Sequence, residues 1–189
     1  MSDGPHYSLP ARPRWKKAAE IADNAASSPE EICDAVSDAL IADAKYDRVS
    51  ELMQDIDECM EKGQGYLFAS DTVGFLDQLA DPYAGFELPS RALEFIQDEM
   101  RNGVPLQEAK ENGLKDALME RAVSERRAME EHYLNEAGHS RSAELKQRID
   151  DGISRLPMQS IVQECIRSSG GKTSSRYQKK TGVEDGVPL

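Results

Sequence analysis

The chain lacks most of what a sheet, a membrane span or a metal framework is built from. It has one Trp, four Phe and six Tyr in 189 residues, and the clusters of β-branched and aromatic residues that build strands are scarce. No window approaches the ~18 consecutive apolar residues of a membrane span, so no membrane contact is expected. Residues 1–15, MSDGPHYSLPARPRW, lack the apolar core of a signal peptide, which makes a cytoplasmic location the expectation. Cysteines occur only at 33, 59 and 165. Odd in number and without metal-ligand spacing, they read as reduced thiols.

Chemistry-bearing patterns are equally thin. There are three histidines, and Glu136-x-x-His139 is a lone pair where a helical di-iron site needs two such pairs plus further glutamates. Gly170-Gly171-Lys172-Thr173 has the ending of a phosphate-binding loop, but Ile166 stands where the first glycine belongs and no strand precedes it. No Gly-x-Ser-x-Gly turn is present, and no Cys or Ser has a base at obvious helical proximity. We therefore assign no catalytic residue, no cofactor and no metal, and expect a non-enzymatic protein.

What is abundant is alanine with Glu, Lys and Arg, residues that lose little rotamer freedom in a helix. The expected fold is all-α, a multi-helix bundle of about six to eight helices around a long central helix. The expected organisation is an extended Pro-containing arm (1–13), one helical domain (14–167) and a disordered basic tail (168–189). The tail has too little apolar content to offset its ordering entropy.

The central helix is read from residues 106–136. Leu114, Leu118, Ala122, Met129 and Tyr133 share one face, broken by Glu125, and Met119, Val123 and Leu134 form a narrower second stripe. Asn112-Gly113 is a weak point within it. Upstream, Trp15 opens a short helix as a core anchor, and Ala18, Ala19 and Ala22 with Ile21 give it a small-residue face that permits close approach. Ser28-Pro29-Glu30-Glu31 is a capping box, followed by Ile32, Val36 and Leu40, then by Val49, Leu52, Met53, Ile56, Cys59 and Met60. Gly63 ends that run. Whether 28–62 is one helix or two joined near 43–45 is left open by the pattern. Further expected elements are a cap at Ser70 or Asp71 with a short helix carrying Val73, Phe75, Leu76 and Leu79, a loop from Asp81 to Phe86, and a helix opened by Pro89-Ser90 and ended by Asn102-Gly103. Helices on Leu145, Ile149, Ile153 and Leu156, and on Ile161, Val162, Cys165 and Ile166, follow, separated by Pro157.

The net charge of −12 is unevenly placed. Residues 28–100 hold eighteen acidic against four basic groups, a balance of −14, while both ends are mildly basic. Asp34, Asp38, Asp43, Asp47, Glu51, Asp55 and Glu58 read as one outer acidic face, the candidate docking surface for a protein partner with a basic surface. Arg12, Arg14, Lys16 and Lys17 around Trp15, with Lys172, Arg176, Lys179 and Lys180 in the tail, are the candidate basic contacts. The leading expectation is a regulator, inhibitor or assembly accessory factor acting through protein–protein interaction. The alternative is a nucleic-acid-associated or structural accessory protein using the two basic ends.

Overall fold

The computed structural model describes residues 12–63, 76–129 and 142–167. They form seven α-helices: α1 (Arg12–Asp23), α2 (Pro29–Tyr46), α3 (Val49–Gly63), α4 (Glu87–Arg101), α5 (Leu106–Ala128), α6 (Ser142–Ser154) and α7 (Met158–Arg167). Two 3-10 turns, Leu76–Leu79 and Asp81–Tyr83, lie between α3 and α4. The described residues contain no strand, and the fold is an all-α multi-helix bundle.

The longest described helix is α5, but the helix with neighbours on most sides is α2, which packs on α1, α3, α5, α6 and α7. Its start is written locally. The Ser28 hydroxyl accepts from the Glu31 N–H, Glu31 Oε1 accepts from the Ser28 N–H, and Pro29 occupies the first turn. Ile32, Val36, Ala39 and Leu40 are then buried. The run from 28 to 62 is two helices, and the break lies at Asp47–Arg48, past the 43–45 region in which the pattern sought it. Arg48 takes φ +64, the left-handed region that turns the chain into α3. Its guanidinium lies over the Tyr83 ring at 5.0 Å and the Phe86 ring at 5.7 Å.

Several local expectations shift for physical reasons. Helix α1 begins at Arg12, so Pro13 sits in its first turn, where its missing N–H has no bond to lose. Helix α4 begins at Glu87, two residues before Pro89. Helix α5 passes straight through Asn112-Gly113. A Cβ on Gly113 would lie 2.5 Å from Ile96 Cγ1 and 2.9 Å from the Ile96 nitrogen, so the glycine permits α4 and α5 to touch backbone to backbone. The main stripe of α5 is buried at Leu114, Leu118, Ala122 and Met129. Glu125 is buried with it, whereas the second stripe divides: Met119, half-buried, packs against the core and Val123 is 41% exposed. Gly152 of α6 repeats the close approach against Ile32 of α2, where a Cβ would meet Ile32 Cγ2 at 2.6 Å. Residues 1–11, the aromatic segment with Tyr66, Phe68, Val73 and Phe75, the pair Glu136 and His139 with Tyr133, Leu134 and Gly138, and the whole 168–189 tail lie outside the described residues.

Candidate functional site

Helices α1 and α2 form a tight hairpin. Trp15, Ala18, Ala19 and Ala22 of α1 are all at most 2% exposed, and three alanines let its backbone settle close on α2. Both ends of the hairpin are tied down. At one end the Trp15 indole N–H donates to Asp43 Oδ2 of α2 at 2.9 Å. At the other, Arg148 of α6 donates from Nη1 to the Ala22 carbonyl at 2.8 Å and from Nη2 to the Ser27 carbonyl at 2.5 Å, clamping the connecting loop.

Turning those apolar faces inward leaves a groove of about 420 Å³ along the outer side of the hairpin. Arg14 and Lys17 of α1 line one side, and Glu31, Asp34 and Asp38 of α2 the other. Ile21 and Ala35, both half-buried, line it between them. All five charged residues are exposed. Among the described residues, Arg14, Lys17, Asp34 and Asp38 make no ion pair with one another. Two sets of residues singled out separately in the sequence, part of the acidic group and part of the basic N-terminal group, thus share one site. Lys16 is exposed on the same helix. Arg12 is in the first turn of α1, and Lys172, Arg176, Lys179 and Lys180 lie outside the described residues.

The rest of the expected acidic face is not a face. Asp43, Asp47 and Asp55 are 1%, 5% and 3% exposed, and Glu51 and Glu58 are half-buried. Each buried carboxylate has a structural partner. Arg121 of α5 donates from Nη1 to Asp43 Oδ2 at 2.6 Å and from Nη2 to Glu87 Oε1 at 2.8 Å. Burial works to lower the Arg121 pKa, but Asp43, Glu87 and Asp47 outweigh it and hold it above its ordinary value. Asp47 Oδ2 accepts the Leu88 N–H at 3.1 Å. Phe86, the N-cap of α4, offers no side-chain acceptor, so a carboxylate from the end of α2 caps α4 across the fold. Burial pushes the Asp47 pKa up to about 6, against the pull of the Leu88 N–H and Arg121. Asp55 Oδ2 accepts from the Tyr83 hydroxyl at 2.6 Å, and burial followed by that bond raises the Tyr83 pKa. Arg121, Glu87 and Tyr83 were not singled out by sequence pattern. Lys110 joins them as a buried cation, 2.7 Å from Asp57.

A second groove, of about 190 Å³ between α4 and α5, is closed chemically by its own ion pairs. Arg91 bonds Glu120 through two nitrogens at 2.8 and 2.9 Å, pairs with Glu94, and stacks on Phe95 at 4.7 Å. The thiols of Cys33 and Cys165 are buried, and burial pushes the Cys165 pKa up to about 12, away from the reactive thiolate. Among the described residues no group of three or more His, Cys, Asp or Glu is arranged to hold a metal ion, and no helix is long and apolar enough to cross a membrane. In comparisons with protein-family models, curated proteins and solved structures, none matched this chain.

Proposed function

We propose that this protein is a cytoplasmic, non-enzymatic factor that works by binding another protein, as a regulator, inhibitor or assembly accessory. The observation that carries the reading is the α1–α2 groove. Exposed cations and exposed carboxylates stand on either side of a half-buried apolar floor, on a hairpin clamped at both ends. Charges held on a rigid scaffold steer encounter and set orientation, and a pre-ordered surface lowers the entropic cost of association. A basic patch on the partner would meet Asp34 and Asp38. Phosphate backbones suit this groove poorly, because Glu31, Asp34 and Asp38 sit beside Arg14 and Lys17.

The test is affinity capture on the full chain, comparing the native protein with Asp34→Lys/Asp38→Lys. Both residues are exposed, so the variant should keep its helical circular dichroism. The expected result is a protein retained by the native chain and lost with the variant, most sharply at low salt. Recovery of nucleic acid alone, abolished by deleting residues 168–189 and indifferent to the two reversals, would replace this reading with the nucleic-acid one.

A further inference from the structure

The residues lining the groove fall at a spacing that says what shape of ligand fits it. Along α1 and the residue just past its end they are Arg14, Lys17, Ile21 and Asn24, and along α2 Glu31, Asp34 or Ala35, and Asp38. Steps of three and four residues are the repeat by which one helix meets another along a seam. From Arg14 to Asn24 this ridge advances ten positions, about 15 Å or nearly three helical turns. An extended segment would gain little here, since the helices that form the groove have their backbone N–H and C=O groups bonded internally and offer no edge to pair with.

We propose that the groove docks one amphipathic helix of about three turns from a partner protein. That helix has a narrow apolar stripe set over Ile21 and Ala35, carboxylates along the flank facing Arg14 and Lys17, and Lys or Arg along the flank facing Asp34 and Asp38. The inference rests on the protein-binding reading and adds the shape and charge layout of the partner. Charge complementarity on both walls is what selects this occupant. A uniformly basic helix would set its second flank against Arg14 and Lys17, and a uniformly acidic one against Asp34 and Asp38, each at a cost in specificity and on-rate.

The experiment uses the full chain and three capped synthetic peptides of about 14 residues, long enough for three turns with frayed ends. All share one leucine stripe. The first carries Glu on one flank and Lys on the other, the second Lys on both, the third Glu on both. Fluorescence anisotropy at low salt should show the two-signed peptide binding about tenfold more tightly than either single-signed one, the scale of a few summed surface pairs. Asp34→Lys/Asp38→Lys should cost that peptide a similar factor. Asp34→Asn/Asp38→Asn, which removes the charges at nearly constant shape, should cost less in the same direction and covers any disturbance by the reversals. Deleting residues 1–11 should leave binding unchanged. Equal binding of the all-Lys and two-signed peptides would overturn the proposal, because only the acidic wall would then be read. A tenfold gain on deleting residues 1–11 would overturn it too, by identifying the chain's own N-terminal segment as the occupant. If no peptide binds while a captured protein is still lost with the Asp34→Lys/Asp38→Lys variant, the helix inference falls and the protein-binding reading stands. If neither assay responds, both fall.

Discussion

Asp34 and Asp47 bear the same carboxylate within one short stretch of chain, yet one meets water and the other closes the end of a distant helix. The difference is angular. At 100° per residue Asp47 lies about 20° from Leu40 and Asp43 about 20° from Val36, inside the apolar stripe, whereas Asp34 and Asp38 lie about 160° from Val36. Burial at a stripe position makes Asp47 a pH-dependent element. An unfolded aspartate titrates near ~3.9, and Asp47 in the fold near about 6. Between those values the folded protein keeps a proton the unfolded chain has lost. This contribution is therefore fully present below about pH 4, lost as pH rises toward about 6, and flat above. Asp47→Asn keeps an oxygen for the Leu88 N–H and removes the titration. Urea unfolding at a series of pH values should show the native chain losing ~3 kcal/mol more than the variant across that window. Parallel profiles would mean that Asp47 ionises in the fold as it does in water.

At the scale of the element, the pattern on α5 separates into a main stripe that is buried and a second stripe that packs at Met119 but not at Val123. Leu118 is fully buried and Val123 is 41% exposed. Leu118→Asp must place a charge in the core and should cost several kcal/mol, whereas Val123→Asp should stay within ~0.5 kcal/mol. Thermal unfolding compares them directly, and similar losses would show that Val123 packs as well. Gly113 is the other element-level feature. Intrinsic propensity favours Ala over Gly in a helix by ~1 kcal/mol. Contact opposes it, since the new methyl would sit 2.5 Å from Ile96 Cγ1 and 3.1 Å from the Ala92 carbonyl. Backbone atoms cannot rotate away, so Gly113→Ala should destabilise by ~2 kcal/mol despite its propensity. Gly85→Ala, with nothing within 4 Å of the new atom, is the control and should be close to neutral. A stabilised Gly113→Ala would mean the two helices stand further apart than described.

For the whole molecule, Arg121 is where separate helices are joined by polar contact. It reaches from α5 to Asp43 of α2 and Glu87 of α4, and Asp43 in turn holds Trp15 of α1. Removing one member of a buried pair strands the other charge, so Arg121→Met should cost ~3–5 kcal/mol. Asp43→Asn/Arg121→Met, which removes both charges and keeps an acceptor for the indole, should recover part of that loss. Urea midpoints of the two variants test this, and a loss below ~1 kcal/mol for Arg121→Met would show the cluster to be solvated. The single tryptophan gives a local reading of the same event through its emission.

The all-helical class, the capping box at Ser28, the core role of Trp15 and the buried stripes of α2, α3, α6 and α7 were all legible in the sequence, because each rests on short-range periodicity or on neighbours within one turn. The carboxylates on those stripes carried a signal as well. Asp43 and Asp47 sit where apolar residues were due, the mark of a charge that is buried with a partner, but their acidity alone placed them on the surface. The identity of those partners was not legible. Arg121 is 78 residues from Asp43 and Leu88 is 41 from Asp47, and no local rule links positions so far apart. Only tertiary packing decided that α2 has neighbours on most sides, that Gly113 is a contact and not a stop, and that Arg14 and Lys17 face Asp34 and Asp38 across one groove. Periodicity states which side of a helix is apolar, while the helix opposite that side is chosen by the shape and charge of the whole core.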